Sequence, residues 1–180
     1  MGLPFTDMTE PSTQTGSDLA VGRTRLGLYL GVVLALVLVG VAAWFMLHPS
    51  PLPTSDRTVE VRTPVEAPVY VAVYSGSRTD RTITLSGVHV NAPADSTAEV
   101  TARVCAGGSL SVTADPAGFC TRVLPATGAS VGPDDTLMLE IRSPSAGTLV
   151  LDDLQVSYRE GLQWGTQPVG PRVSVTFLSR

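Results

Sequence analysis

The rhythm of apolar and polar positions changes twice along the chain. The first 25 residues carry Pro4, Pro11 and scattered Ser and Thr, with few apolar side chains and no period. Such a segment cannot bury enough surface to offset the entropy of ordering it, so residues 1–25 are expected to be a disordered tail. From Leu26 to Leu47 the pattern is continuous: 22 residues, none charged, interrupted only by Gly27, Gly31 and Gly40. At about 1.5 Å per residue this makes about 33 Å of helix, enough to cross a hydrocarbon core of about 30 Å. A helix satisfies all its backbone groups internally, which lipid requires, so residues 26–47 are predicted to form one transmembrane helix. Tyr29 and Trp44 lie near its two ends, where aromatic rings favour the headgroup belts.

Gly40, Ala42 and Ala43 offer small residues where a signal peptidase could cut. A signal sequence, however, normally has only about 7 to 15 apolar residues and starts nearer the beginning of the chain. The length argument favours an uncleaved signal-anchor. Gly27, Gly31 and Ala35 recur every four residues on one helix face, where a second helix could approach closely, as in a homodimer or a complex with another membrane protein.

After the helix comes His48–Arg57, HPSPLPTSDR, with Pro49, Pro51 and Pro53 in alternation. Proline favours extended polyproline II, so residues 48–57 are expected to be a stiff stalk about 30 Å long. From Thr58 onward the period becomes two. Val59 and Val61 alternate, as do Val69, Val71 and Val73, then Ile83 and Leu85. The phase slips at Gly87 to Val88 and Val90, which predicts a β-bulge. Val100, Ala102 and Val104 follow, then Leu110 and Val112, then Leu137, Leu139 and Ile141. Leu149 and Leu151 slip across Asp152 and Asp153 to Leu154, Val156 and Tyr158, before Val173, Val175 and Phe177. Eight or nine short strands between Gly, Pro, Asp and Ser clusters predict an all-β domain over residues 58–180, an antiparallel β-sandwich of Ig-like or jelly-roll-like type.

Composition adds an address. Hydrophobic residues make up 43% of the 180 positions, but outside the apolar run the share is ordinary for a soluble domain, which excludes a polytopic membrane protein. The formal charge of −4 has no basic block behind it, so nucleic-acid binding is not expected. All 12 basic residues are Arg, and with the heavy use of Ala, Val, Gly and Pro this suggests a high-GC, bacterial coding bias. Arg23 and Arg25 precede the helix, and no full charge follows it until Asp56. The positive-inside bias therefore places the N-terminus in the cytoplasm and the β-domain outside the cell membrane.

The two cysteines, Cys105 and Cys120, both fall in that outward domain and are expected to form one disulfide, closing a loop with Gly107, Gly108 and Gly118. Their spacing lacks the C-x-x-C geometry of a redox pair. Catalytic material is sparse: a triad would have to use His89, and no G-x-S-x-G elbow accompanies it. The adjacent pairs Asp134/Asp135 and Asp152/Asp153 could contribute to calcium binding, but neighbours on a strand point to opposite faces, and turns account for them as well. Neither an enzyme nor a metal or cofactor site is expected.

The aromatic candidates for ligand contact are Tyr70, Tyr74, Tyr158 and Trp164. Tyr70 and Tyr74 are expected to share a covered strand face. Trp164 lies in a polar segment with Arg159, Gln163 and Gln167, which is read as a candidate binding loop, although packing against the sandwich end is the role expected first for the indole. The function expected is a membrane-anchored, extracytoplasmic binding or scaffolding module for an envelope component or membrane complex. Recognition of cell-wall polysaccharide by the Trp164 loop is the alternative. An enzyme built on His89 or the acidic pairs is the third, least favoured reading.

Overall fold

The apolar run forms the greater part of one helix. In the structure, a computed structural model, residues 20–93 and 96–179 are described, so the expected tail lies outside it up to residue 19. Helix α1 runs Ala20–Leu47 and takes in residues 20–25, a stretch that has no proline and only Gly22 as a strongly unfavourable helix former. Its stretch Gly27–Leu47, 21 residues, is long and apolar enough to cross a membrane. The boundary between the chain's two compact units falls after Ala43, so the last turn of α1 goes with the β-domain.

The alternating segments become eleven strands: β1 (Thr54–Pro64), β2 (Val69–Ser75), β3 (Ile83–Asn91), β4 (Glu99–Ala106), β5 (Val112–Thr113), β6 (Arg122–Pro125), β7 (Ser130–Val131), β8 (Thr136–Arg142), β9 (Gly147–Glu160), β10 (Gln163–Pro168) and β11 (Gly170–Leu178). They form two sheets. One has the order β1-β11-β9-β3-β7, with β10 also on β9; the other has the order β5-β2-β8-β4-β6. The inward residues of both sheets, among them Val71, Val104, Leu139, Ile83, Val156 and Val175, make one core, as a sandwich requires. Among the described residues the pairing is antiparallel except that β1 runs parallel to β11.

Both expected slips occur. An extra residue sits between Leu85 and Gly87 in the β3–β9 ladder, and β9 runs unbroken through Asp152 while its partner strand changes. The expected shared face of Tyr70 and Tyr74 does not form. A register shift between Ala72 and Tyr74 turns Tyr74 into the core beside Val73, whereas Tyr70 remains half-buried on the outer face.

Cys105 and Cys120 are bonded. What the bridge closes is more than a local loop. β5 lies at one edge of its sheet and β6, paired with β4, at the other, so the chain between the cysteines crosses the sheet outward and back. The core fills the inner face, so this excursion covers the outer one. Met138 points outward between core residues Leu137 and Leu139, yet it is fully buried, as is Cys105. Thr136 Oγ1 donates to the Gly108 carbonyl (3.1 Å) and the Gly107 N–H to Asp135 Oδ1 (2.8 Å), fastening the cover. A side chain at Gly108 would meet the Phe119 carbonyl oxygen at 1.8 Å, so the two arms approach as closely as glycine alone allows.

Reducing the bridge should therefore destabilise the β-domain by about 3 kcal/mol, the usual value for a loop of this size. Urea denaturation of the full chain in detergent, with and without reductant, measures it. Coincident midpoints would contradict a fastened cover.

Candidate functional site

The span expected as a free stalk is instead fixed to the sandwich. β1 begins at Thr54, inside residues 48–57, and Leu52, the one large apolar residue among the prolines, is 4% exposed in the core. Burying about 25 cal/mol per Å² of apolar side chain supplies the pull. Proline has no N–H, so Pro49–Pro53 cannot pair as an ordinary strand and its carbonyls need other donors.

Side chains from β9, β10 and the turn before β3 supply them. Gln167 Oε1 accepts from the Leu52 N–H (2.8 Å), and its Nε2 donates to the Pro49 carbonyl (3.2 Å). Tyr158 Oη donates to the Ser50 carbonyl (3.2 Å). The Arg81 guanidinium reaches the carbonyls of Ser50 (3.3 Å) and Pro51 (3.4 Å) while its Nε donates to Glu160 Oε1 (2.8 Å). The Gly170 N–H closes the set on the Pro53 carbonyl (3.3 Å). One step further back, Gln163 Nε2 donates to the Phe45 carbonyl in the last helical turn (3.0 Å), and the His48 ring stacks on Trp44.

The candidate binding loop is thus a β-hairpin, β9–β10, turning at Gly161 and Leu162. Strand alternation divides its four candidate residues. Gln163 and Gln167 face the connector and hold it. Arg159 and Trp164, directly opposite each other across the two strands, face outward; Trp164 is 50% exposed, so the expected packing against the sandwich end is not its position. Between the two glutamines, a side chain at Gly165 would come within 2.9 Å of the Pro49 ring, which shows how closely the hairpin lies on the connector.

Electrostatics reinforce the clamp. The hydrogen-bonded Arg81 holds the Glu160 carboxyl below its ordinary pKa, against the opposing effect of burial, and Glu160 in turn holds Arg81 more firmly protonated. Burial raises the Tyr158 hydroxyl, which keeps it a neutral donor at physiological pH. Sequence reasoning missed Leu52, Arg81 and Glu160. The available signal was a lone leucine set among residues that cannot donate.

The residues weighed for chemistry have structural places. His89 is exposed on β3, opposite Gln155. Asp135 accepts the N–H groups of Gly107 and Gly132 and so shapes the turn before β8, while Asp134 is exposed. Asp152 pairs with Arg172 beside an open cleft of about 390 Å³, where β10 gives way to β11. Among the described residues, no three His, Cys, Asp or Glu side chains converge as a metal site would need. No family model matches the chain, and no curated protein or solved structure matches it significantly.

Two outcomes follow. Gln167→Ala removes the two bonds that Gln167 makes to the connector, and hydrogen exchange at the Leu52 amide should then rise by one to two orders of magnitude, on about 1–3 kcal/mol for the lost bonds. Unchanged exchange would show that burial alone holds Leu52. Because the Glu160 pKa is lowered on folding, its contribution is present above about pH 4.5 and fades as the pH falls through the folded value. Glu160→Gln should flatten the acid limb of a stability–pH profile, measured by thermal melts between pH 3 and 6.

Proposed function

We propose that this is a single-pass membrane protein whose helix spans the bilayer over residues 26–47, N-terminus inside, and whose sandwich stands outside as a binding or scaffolding module without catalysis of its own. The observation that carries this reading is the clamped connector: an apolar helix is followed within five residues by Leu52 in the core of a disulfide-bonded sandwich, and the carbonyls of Pro49, Ser50, Pro51 and Pro53 are held by the domain. The connector is itself part of the folded domain. It suits a domain that must present a surface at a fixed place beside the membrane, where a partner in the envelope or in a membrane complex would meet it.

Three further features support the reading. Arg23 and Arg25 precede the helix and the disulfide follows it, in line with an oxidising exterior. The strand orders β2-β8-β4 and β3-β9-β11 support an Ig-like reading of the sandwich, in which they would stand for strands B-E-D and C-F-G, and such sandwiches are used widely for recognition. The Gly27, Gly31 and Ala35 face gives a second membrane helix, from another copy or a partner, a place to pack. Polysaccharide recognition has one observation in its favour, the half-exposed Trp164, and retention of the protein on isolated cell-wall polymer would speak for it.

Protease added to intact cells should remove the region beyond residue 48, and the same protease should spare it in inverted vesicles. The reverse pattern overturns the orientation. A photoreactive side chain in place of the exposed Phe119 or Val123 should give one stoichiometric adduct in native membranes; a diffuse set of adducts would count against a dedicated partner.

A further inference from the structure

We infer that the tip of the β9–β10 hairpin is a second membrane contact, with Leu162 and Trp164 seated in the lipid headgroup region beside the point where the chain leaves the bilayer. The inference rests on the membrane-spanning reading of the helix.

Depth decides it. Trp44 and Phe45 lie in the last turn of the apolar run, which ends at Leu47, so they sit near the boundary between hydrocarbon and headgroups, the latter a region about 5–7 Å thick on each side. Gln163 is bonded to the Phe45 carbonyl at 3.0 Å. With about 3.8 Å between consecutive Cα atoms, its chain neighbours Leu162 and Trp164 lie within roughly 12 Å of that carbonyl. The hairpin cannot retreat from this level. Gln167 ties its far end to Pro49 and Leu52, and the approach of Gly165 to Pro49 leaves no gap to open.

The chemistry at the tip matches the level at which it is held. Leu162 is 63% exposed and Trp164 50%, a costly display of apolar surface in water, whereas indole is at home where one side is apolar and the other wet. Arg159, opposite Trp164 across the strands and exposed as well, brings a guanidinium to the layer where lipid phosphates lie. A turn of this composition on the far end of the sandwich would ask for a protein partner. Tethered at the end of the membrane helix, it meets lipid first.

The chain has two tryptophans, Trp44 and Trp164, so each can report alone. The full chain is reconstituted in phosphatidylcholine–phosphatidylglycerol vesicles containing lipid brominated either near the headgroup or deep in the acyl chain. In Trp44→Phe, the Trp164 emission is expected to be blue-shifted and to be quenched more by shallow than by deep bromine. Leu162→Glu in that background should lessen the quenching. Trp164→Phe leaves Trp44 to report on the helix itself.

If Trp44 is quenched while Trp164 is not, the hairpin contact is wrong and the anchor stands. Blue-shifted emission from Trp164 without quenching would mean that a second copy or another protein covers the tip, which also overturns the contact. If neither tryptophan is quenched, the anchor reading fails and takes this one with it.

Discussion

Three prolines that cannot donate a hydrogen bond govern how this molecule is put together. Pro49, Pro51 and Pro53 deny the connector a ladder of its own, and an extended segment without a ladder would normally stay in water. Here the core takes Leu52, and the carbonyls that come with it must be answered. Gln167, Tyr158 and Arg81 answer them from three separate places in the fold, and Glu160 keeps Arg81 in position. The polar inner face of the β9–β10 hairpin exists to meet a backbone rather than a side-chain core.

That exchange explains which parts of the fold were legible in the sequence. The apolar helix and the strands with Val, Ile and Leu at every second position could be read directly, since burial against one core imposes the period. The slips at Gly87 and Asp152 were legible for the same reason: the apolar phase changes there. β10 was not, because its buried face carries Gln163, Gly165 and Gln167, which look like loop composition until the proline segment is placed beneath them. β6 and β7 are short and lie at sheet edges, with few inward side chains to announce them. Tyr74 was misassigned because a bulge at Val73 reverses its face, and no glycine or charge marks that bulge.

The candidate site was legible as a set of residues but not as an arrangement. Arg159, Gln163, Trp164 and Gln167 do lie together, as their spacing implied, yet alternation sends two of them to the connector and two to the outside. The disulfide was similarly half-read. Its pairing follows from there being two cysteines in one domain, but its part in holding a cover over Met138 depends on strand order, which one sequence does not encode locally.

The parallel pairing of β1 with β11 has a mechanical consequence. β1 receives the chain from the helix at Thr54, and β11 ends at Leu178, opposite Pro64 at the other end of the same ladder. Tension applied between the start of β1 and the end of β11 would drag these strands past each other lengthwise. Rungs loaded in that direction share the force and must rupture together, whereas an antiparallel hairpin pulled from its open end unzips one rung at a time. The domain is thus braced along the axis that runs from the first strand to the last.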